Sequence, residues 1–290
     1  MLFATCLSNP ILLIIKCMLT RLLLIFLSTC SLILGLPIQD RTLPEAAISE
    51  LAAALGIPPG SDLVAETQKQ WLRPPGKERW ETVENFSDEE RELILNWAEK
   101  EELFAAWNPL HSQYDKAVIL GATTHSMQTR LHYLIDLWSN GIRFSGIVWL
   151  TGDRPLDPRI ETFTDTHKTE SDAARMVWEE AELPADMRSL PVTFVTTPMK
   201  EICGKLVRPN TADTIITWLG TDPNPCTLLV VSHQPYCGYQ FGVIKALLPD
   251  EYPFDLVGPA IDNASPSTVL DTVARWMYVE NQIALTTRAE

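Results

Sequence analysis

The chain has 290 residues, 46% of them hydrophobic, and a formal net charge of −14 at pH 7. That length and apolar content supply one substantial core with a small appendage, and they exclude an intrinsically disordered chain. The acidic balance argues against nucleic acid and anionic lipid head groups as partners, while leaving room for a local basic pocket.

The first 36 residues read differently from the rest. They hold no acid, carry only Lys16 and Arg21, and lead into the apolar run from Leu22 to Leu36. A basic start before an apolar stretch is the pattern of a secretory signal peptide or a short membrane anchor. A span needs about 20 apolar residues, which favours a cleaved signal, although no Ala-x-Ala-like site follows; Met18 offers an alternative start. Positive charge before the segment and an acidic chain after it place the body outside the cytoplasm, periplasmic or secreted, or held by one N-terminal segment. The membrane is then a partner only if the segment stays uncleaved.

Residues 37–110 predict a helical N-terminal extension. A helix is expected from Pro44 to Leu55, closed by Gly56. Ser87-Asp-Glu-Glu90 is a capping box, and Leu93, Trp97, Phe104 and Trp107 recur at helical spacing, predicting a second helix from Asp88 to Trp107. This helix reads either as a lid or partner surface or as an element packed on the domain flank; amphipathic stripes are mostly core, which favours the flank.

Residues 111–290 carry the main domain. Four apolar, β-branched runs, 117–120, 147–150, 192–195 and 228–231, end in small or polar residues, with a weaker strand at Phe254 to Val257. Helical patterns lie between them: Met127, Leu131, Leu134 and Trp138 on one face up to Asn140-Gly141, then Glu170 to Ala181, Asn210 through Leu219, Pro235 to Leu248, and Ser267 to about Ile283. Alternation of this kind predicts an α/β fold with a mainly parallel sheet, whose ligands bind outside the carboxyl ends of the strands. The body holds three cysteines, Cys203, Cys226 and Cys237, without a CxxC pair, which permits one disulfide at most and no structural zinc site.

Projected onto that carboxyl edge, Gly121, Ala122, Thr123, Thr124 and His125 meet Thr151, Gly152, Asp153 and Arg154, Thr196 and Thr197, and Ser232 to Gln234. Helix starts add Glu170, Asn210 and Thr211, and Arg130 lies one turn into the first helix of the domain. Helix N-termini with Arg130 suit a phosphate or carboxylate. Glu170 and Asp153 suit a sugar hydroxyl, a metal or acid/base work. His233 is the leading catalytic candidate, as general acid/base or ligand contact, against the bland alternative of a histidine bonded to a neighbouring loop. Metal binding by His125, Asp153 and His233 is geometrically open, but no helical HxxxH pair supports it, and no metal is assigned. No GxGxxG fingerprint follows the first strand, so the cofactor is unassigned. Arg208 could clamp an acidic group or simply be solvated.

In order and spacing these motifs resemble the YdcF-like family of bacterial envelope proteins, which includes the SanA and ElyC types. The resemblance spans about Lys116 to Leu248 and rests on Leu120-Gly121, Arg130-Leu131, Thr151-Gly152, Thr169-Glu170 through Met176, Asn210-Thr211 and Val231-Ser-His233. It implies a Rossmann-like three-layer α/β/α sandwich, often tethered by one N-terminal segment, with a pocket at Gly121, Arg130, Gly152, Glu170, Asn210, Thr211 and His233. It further implies a role in envelope integrity or in lipid-carrier or peptidoglycan metabolism, with S-adenosylmethionine binding in one case. The chain departs from the pattern at Asp153, where a second glycine is usual, at Asp213 and Thr214, and at Tyr236, where an arginine is usual. The expectation is an envelope protein with a pocket for a phosphorylated or nucleotide-like small molecule. The enzyme reading gives His233 acid/base work, Glu170 the orientation of a hydroxyl or water and Arg130 the anion; the alternatives are a non-catalytic binding or scaffold protein and, more weakly, a methyltransferase.

Overall fold

A computed structural model describes residues 42–74, 77–161 and 166–287, so the signal or anchor expected over residues 1–36 lies outside the described residues. Among the described residues no helix is long and apolar enough to cross a membrane. In chain order the extension gives α1 (Glu45–Ala54), α2 (Leu63–Gln70) and α3 (Asp88–Lys100). There follow β1 (Gln113–Tyr114), β2 (Lys116–Leu120), α4 (Thr124–Ser139), β3 (Arg143–Phe144), β4 (Ile147–Gly152), α5 (Glu170–Glu180), α6 (Ala185–Arg188) and β5 (Val192–Thr197). The last part holds β6 (Lys200–Ile202), β7 (Lys205–Val207), α7 (Thr211–Leu219), β8 (Leu228–Val231), α8 (Cys237–Lys245), β9 (Phe254–Val257) and α9 (Pro266–Thr287).

Five strands form one sheet in the order β5-β4-β2-β8-β9, every neighbouring pair parallel. The fold is therefore α/β, consistent with a Rossmann-like three-layer sandwich. Strand alternation builds two cores. Ala117, Ile119, Ile147, Trp149, Leu229 and Val231 face α4 and α5, while Val118, Leu120, Val148, Leu150, Val230 and Leu256 face α7, α8 and α9. Both sides are covered, which is why the strands read as continuous apolar runs.

The extension is an integral part of the second core. Leu43, Ala47, Ile48, Leu51, Ile94 and Trp97 pack in the same cluster as Val269, Val273, Trp276 and Met277 of α9, and residues 38–290 form one compact unit. The indole N–H of Trp97 donates to the Ala47 carbonyl at 3.0 Å, and Trp107 exchanges backbone hydrogen bonds of 2.9 and 3.0 Å with Gly258. The α3 stripe is thus a flank contact.

Two expected helices are shorter than their patterns. The helix expected to reach Trp107 stops at Lys100, because Glu102 takes a left-handed φ of 57° and the Leu103 N–H turns back to the Ala98 carbonyl at 2.9 Å. With Glu102 N–H on the Glu99 carbonyl at 3.0 Å, this is a Schellman close with glutamate where glycine is usual. By contrast Gly141, at φ 97°, closes α4 where its sequence signal stands. The helix expected from Pro235 begins at Cys237, after a cis Gln234–Pro235 bond.

Left-handed backbone disfavours a residue with Cβ by about 1–2 kcal/mol, part of which glycine returns as unfolded-chain entropy. Glu102→Gly is expected to raise stability by about 0.5–1 kcal/mol, measured as a higher urea midpoint at unchanged m-value.

Candidate functional site

In the sheet β2 and β8 are neighbours, with Ile119 opposite Val231, yet the chain leaves them toward opposite faces, into α4 and α8. Strands that part in this way open a crevice at their carboxyl ends. A cavity of about 1280 Å³ occupies it, larger than most small-molecule pockets.

Arg130 closes the floor of the crevice. It sits on α4, 2% exposed, and donates through Nη1 to the Leu120 and Gly121 carbonyls at 2.5 and 2.9 Å and through Nε to His233 Nδ1 at 3.0 Å. One guanidinium thus joins the ends of β2 and β8. Burial pulls its pKa down to about 10, which leaves it charged at neutral pH. A guanidinium only donates, so His233 Nδ1 must carry the lone pair and Nε2 the proton. Burial, then Arg130, Arg79 and His125, hold the imidazole well below its ordinary range. His233 therefore lines the cavity as a neutral N–H donor, and the proton-accepting role expected of it is opposed by this tautomer.

Glu170, at the first turn of α5, is 7% exposed and fully engaged. Oε1 accepts from the Gly152 N–H at 2.9 Å and Oε2 from Arg154 Nε at 2.7 Å. Burial pushes this carboxyl up while Arg154 and the Gly152 N–H pull it down; with both oxygens accepting from groups that only donate, the geometry is that of a carboxylate. Arg154 also forks onto Glu161 at 2.7 and 2.9 Å and reaches the Ala122 carbonyl at 3.0 Å. Glu170 is thus a positioning group for two strand ends. Gly121 is required beside it, since a Cβ there would stand 2.2 Å from Glu170 Oε1 and 2.7 Å from the Leu150 carbonyl oxygen. A Cβ on Gly152 would meet Pro209 at 2.6 Å.

Around the cavity the structure gathers Gly121, Ala122, Thr123, Arg130 and Gly152 with Glu170, Asn210, Thr211 and His233. Asp153 is not among them: it is exposed, with its N–H on the Thr197 carbonyl at 2.8 Å, and Arg154 turns inward instead. Among the described residues no group of three acidic, histidine or cysteine side chains is placed to hold a metal, so His125, Asp153 and His233 are not assembled. Cys203, Cys226 and Cys237 form no disulfide among the described residues.

Helix N-termini also differ from expectation. The Thr124 N–H of α4 donates to Glu161 at 3.0 Å, and capping boxes through Asp172 and Asp213 close α5 and α7. At each of these helix starts a protein carboxylate already accepts from a backbone N–H, which places negative charge where an anion was expected. Positive charge enters the cavity from guanidinium groups that sequence reasoning missed or left as solvated: Arg73 and Arg79 from the extension, Arg208 before α7 and Arg275 on α9. A local signal existed, since Arg73, Lys77 and Arg79 fall within seven residues of an otherwise acidic chain. The Arg79 guanidinium lies 4.3 Å from the ring centre of Tyr236, and the Tyr236 and His233 rings form a T-shaped pair with centres 4.9 Å apart.

With this geometry established, comparison with known proteins adds nothing: no family model, no curated protein and no solved structure matches the chain.

Two outcomes are expected. Gly121→Ala forces Glu170 or the β4 backbone aside and destabilises by about 2 kcal/mol in urea unfolding. His233 is neutral when folded but titrates near 6.5 when unfolded, so the unfolded chain binds the extra proton and stability falls as pH drops below about 6.5. Between pH 7 and 5 the wild type should lose about 1–2 kcal/mol more than His233→Asn, read from paired urea curves.

Proposed function

We propose that the protein binds a phosphorylated or nucleotide-like small molecule in the cavity at the carboxyl edge of its sheet, as an exported or membrane-anchored protein of the cell envelope. The observation that carries the ligand class is the convergence of Arg73, Arg79, Arg130, Arg208 and Arg275 on one cavity of a chain whose net charge is −14. The envelope setting is supported by the basic-then-apolar start of the chain and by the YdcF-like resemblance. S-adenosylmethionine, with its positive sulfonium, is the poorer match to such a lining.

A binding role is favoured over acid/base catalysis because both catalytic candidates are committed: His233 is held neutral by Arg130, and Glu170 is held by Arg154 and Gly152. The enzyme reading keeps one support. Arg130 and His233 Nε2 are a fixed cation and a fixed donor lining one cavity, and preorganised groups of this kind stabilise charge developing on a transferred group.

Phospho-sugars, nucleotides and polyprenyl phosphates, tested one by one by thermal shift and calorimetry, should include a ligand that stabilises the wild type by about 2.7 kcal/mol at 100-fold Kd. That affinity should fall with added salt and weaken at least tenfold in His233→Ala. A flat response across the panel would sink the reading; turnover lost in His233→Ala would favour the enzyme.

A further inference from the structure

The guanidinium groups at the cavity are unequally provided for. Asp271, 2% exposed on α9, is shared by three partners: Arg275 binds it twice at 2.9 Å, Arg79 Nη2 lies at 3.2 Å, and the Arg73 backbone N–H lies at 3.2 Å. Glu78 Oε2 stands 3.2 Å from Arg208 Nη1 without hydrogen-bond alignment. Among the described residues nothing accepts from Arg73 Nη1 or Arg79 Nε, although both atoms are buried. Three guanidinium groups therefore take up two carboxylates, the Arg73 side chain is paired with neither, and two buried donors are left without an acceptor.

A buried donor without a partner costs about 1–3 kcal/mol, and packing like charges together adds to that. Burial, Arg79, Arg208 and Arg275 together draw the Arg73 pKa down. The Arg79 pKa is instead raised despite burial, with Asp271 among the causes, so the uncompensated charge lies with Arg73, and an anion held in the cavity that both residues line would offset it. The cluster is also separated from the first group of donors. Tyr236 neighbours both: the Arg79 guanidinium lies 4.3 Å from its ring centre and the His233 ring centre 4.9 Å from it, so the two groups of donors share one aromatic neighbour and one cavity.

We infer that Arg73, Arg79, Arg208 and Arg275 form a second anion subsite, so that the ligand of this cavity carries two neighbouring anionic groups, as a diphosphate does. The inference rests on the proposed anion-binding reading and sharpens it. One phosphoryl group lies against Arg130 and His233, and the next against the guanidinium groups of Arg73 and Arg79 that line the same cavity. The extension is then part of the binding site, since it supplies half of the second subsite.

The test is calorimetry on the full chain with inorganic phosphate and pyrophosphate, for wild type, Arg73→Gln, Arg73→Lys and Arg208→Gln, beside melting curves without ligand. Wild type should hold pyrophosphate at least tenfold more tightly than phosphate. Arg73→Gln should weaken pyrophosphate about tenfold, leave phosphate within twofold, and melt no lower than wild type, because it removes a charge from a repulsive cluster. Arg73→Lys should recover part of the lost affinity. Should Arg73→Gln fail to fold, Arg208→Gln, at the half-exposed edge of the cluster, must show the same selective loss. Pyrophosphate affinity unchanged in folded variants, or phosphate and pyrophosphate weakened alike, overturns the second subsite while leaving anion binding standing. Failure of both probes to bind wild type overturns the anion-binding reading and this inference together.

Discussion

The hydrogen bonds of Arg130 tie together the two strand ends on which the site depends. Where β2 and β8 send their chains to opposite faces, the sheet presents unpaired carbonyls at Leu120 and Gly121, and a buried carbonyl without a donor is costly. Arg130 satisfies both and spans to His233. The same contact decides the chemistry of the imidazole. A donor on Nδ1 leaves the proton on Nε2, so the residue that looked most like a base enters the cavity as a donor beside a permanent cation.

That arrangement explains why the surrounding carboxylates do not make the site acidic. Glu170 and Glu161 are both consumed by Arg154, and Glu161 also accepts from the Thr124 N–H at the start of α4. Their negative charge holds loops in place and is spent within the protein. On the proposed anion-binding reading, attraction for the ligand falls to the guanidinium groups, and the extension enters the site through Arg73 and Arg79.

Much of this was legible in the sequence. β2, β4 and β8 are covered on both faces and so apolar throughout, which made those runs and their shared edge directly readable, while the edge strand β5 mixes Val and Phe with threonine; capping signals at Ser87, Thr169 and Asn210 were equally plain. What failed did so for local reasons. At the end of β4 the inward position falls on Arg154, and a shift of one residue at a strand end exchanges cavity for solvent, which is what moved Asp153 outside. The overrun of α3 came from Glu102, since glutamate gives no sign of a left-handed close while Phe104 and Trp107 continue the apolar spacing. Arg73 and Arg79 sit in a proline-rich stretch without periodicity, so nothing in their neighbourhood encodes which wall they join; only the density of positive charge marked them.

The contrast between an acidic chain and a cationic cavity follows from the range of the forces involved. At physiological ionic strength exposed charges are screened beyond about 8 Å, so the net charge of −14 sets solubility and repels large polyanions without setting the potential inside the crevice. Within it Arg130 is buried, and the Arg73 cluster is partly withdrawn from water, where charges act more strongly on a bound group. Duplex nucleic acid must approach through the acidic exterior, whereas a small phosphorylated molecule can lie wholly inside the basic interior. Like charges kept together against their own repulsion, with donors left unpaired, break the rule that buried polar groups are satisfied. Such local violations in an otherwise consistent fold mark the places where stability has been yielded to a ligand.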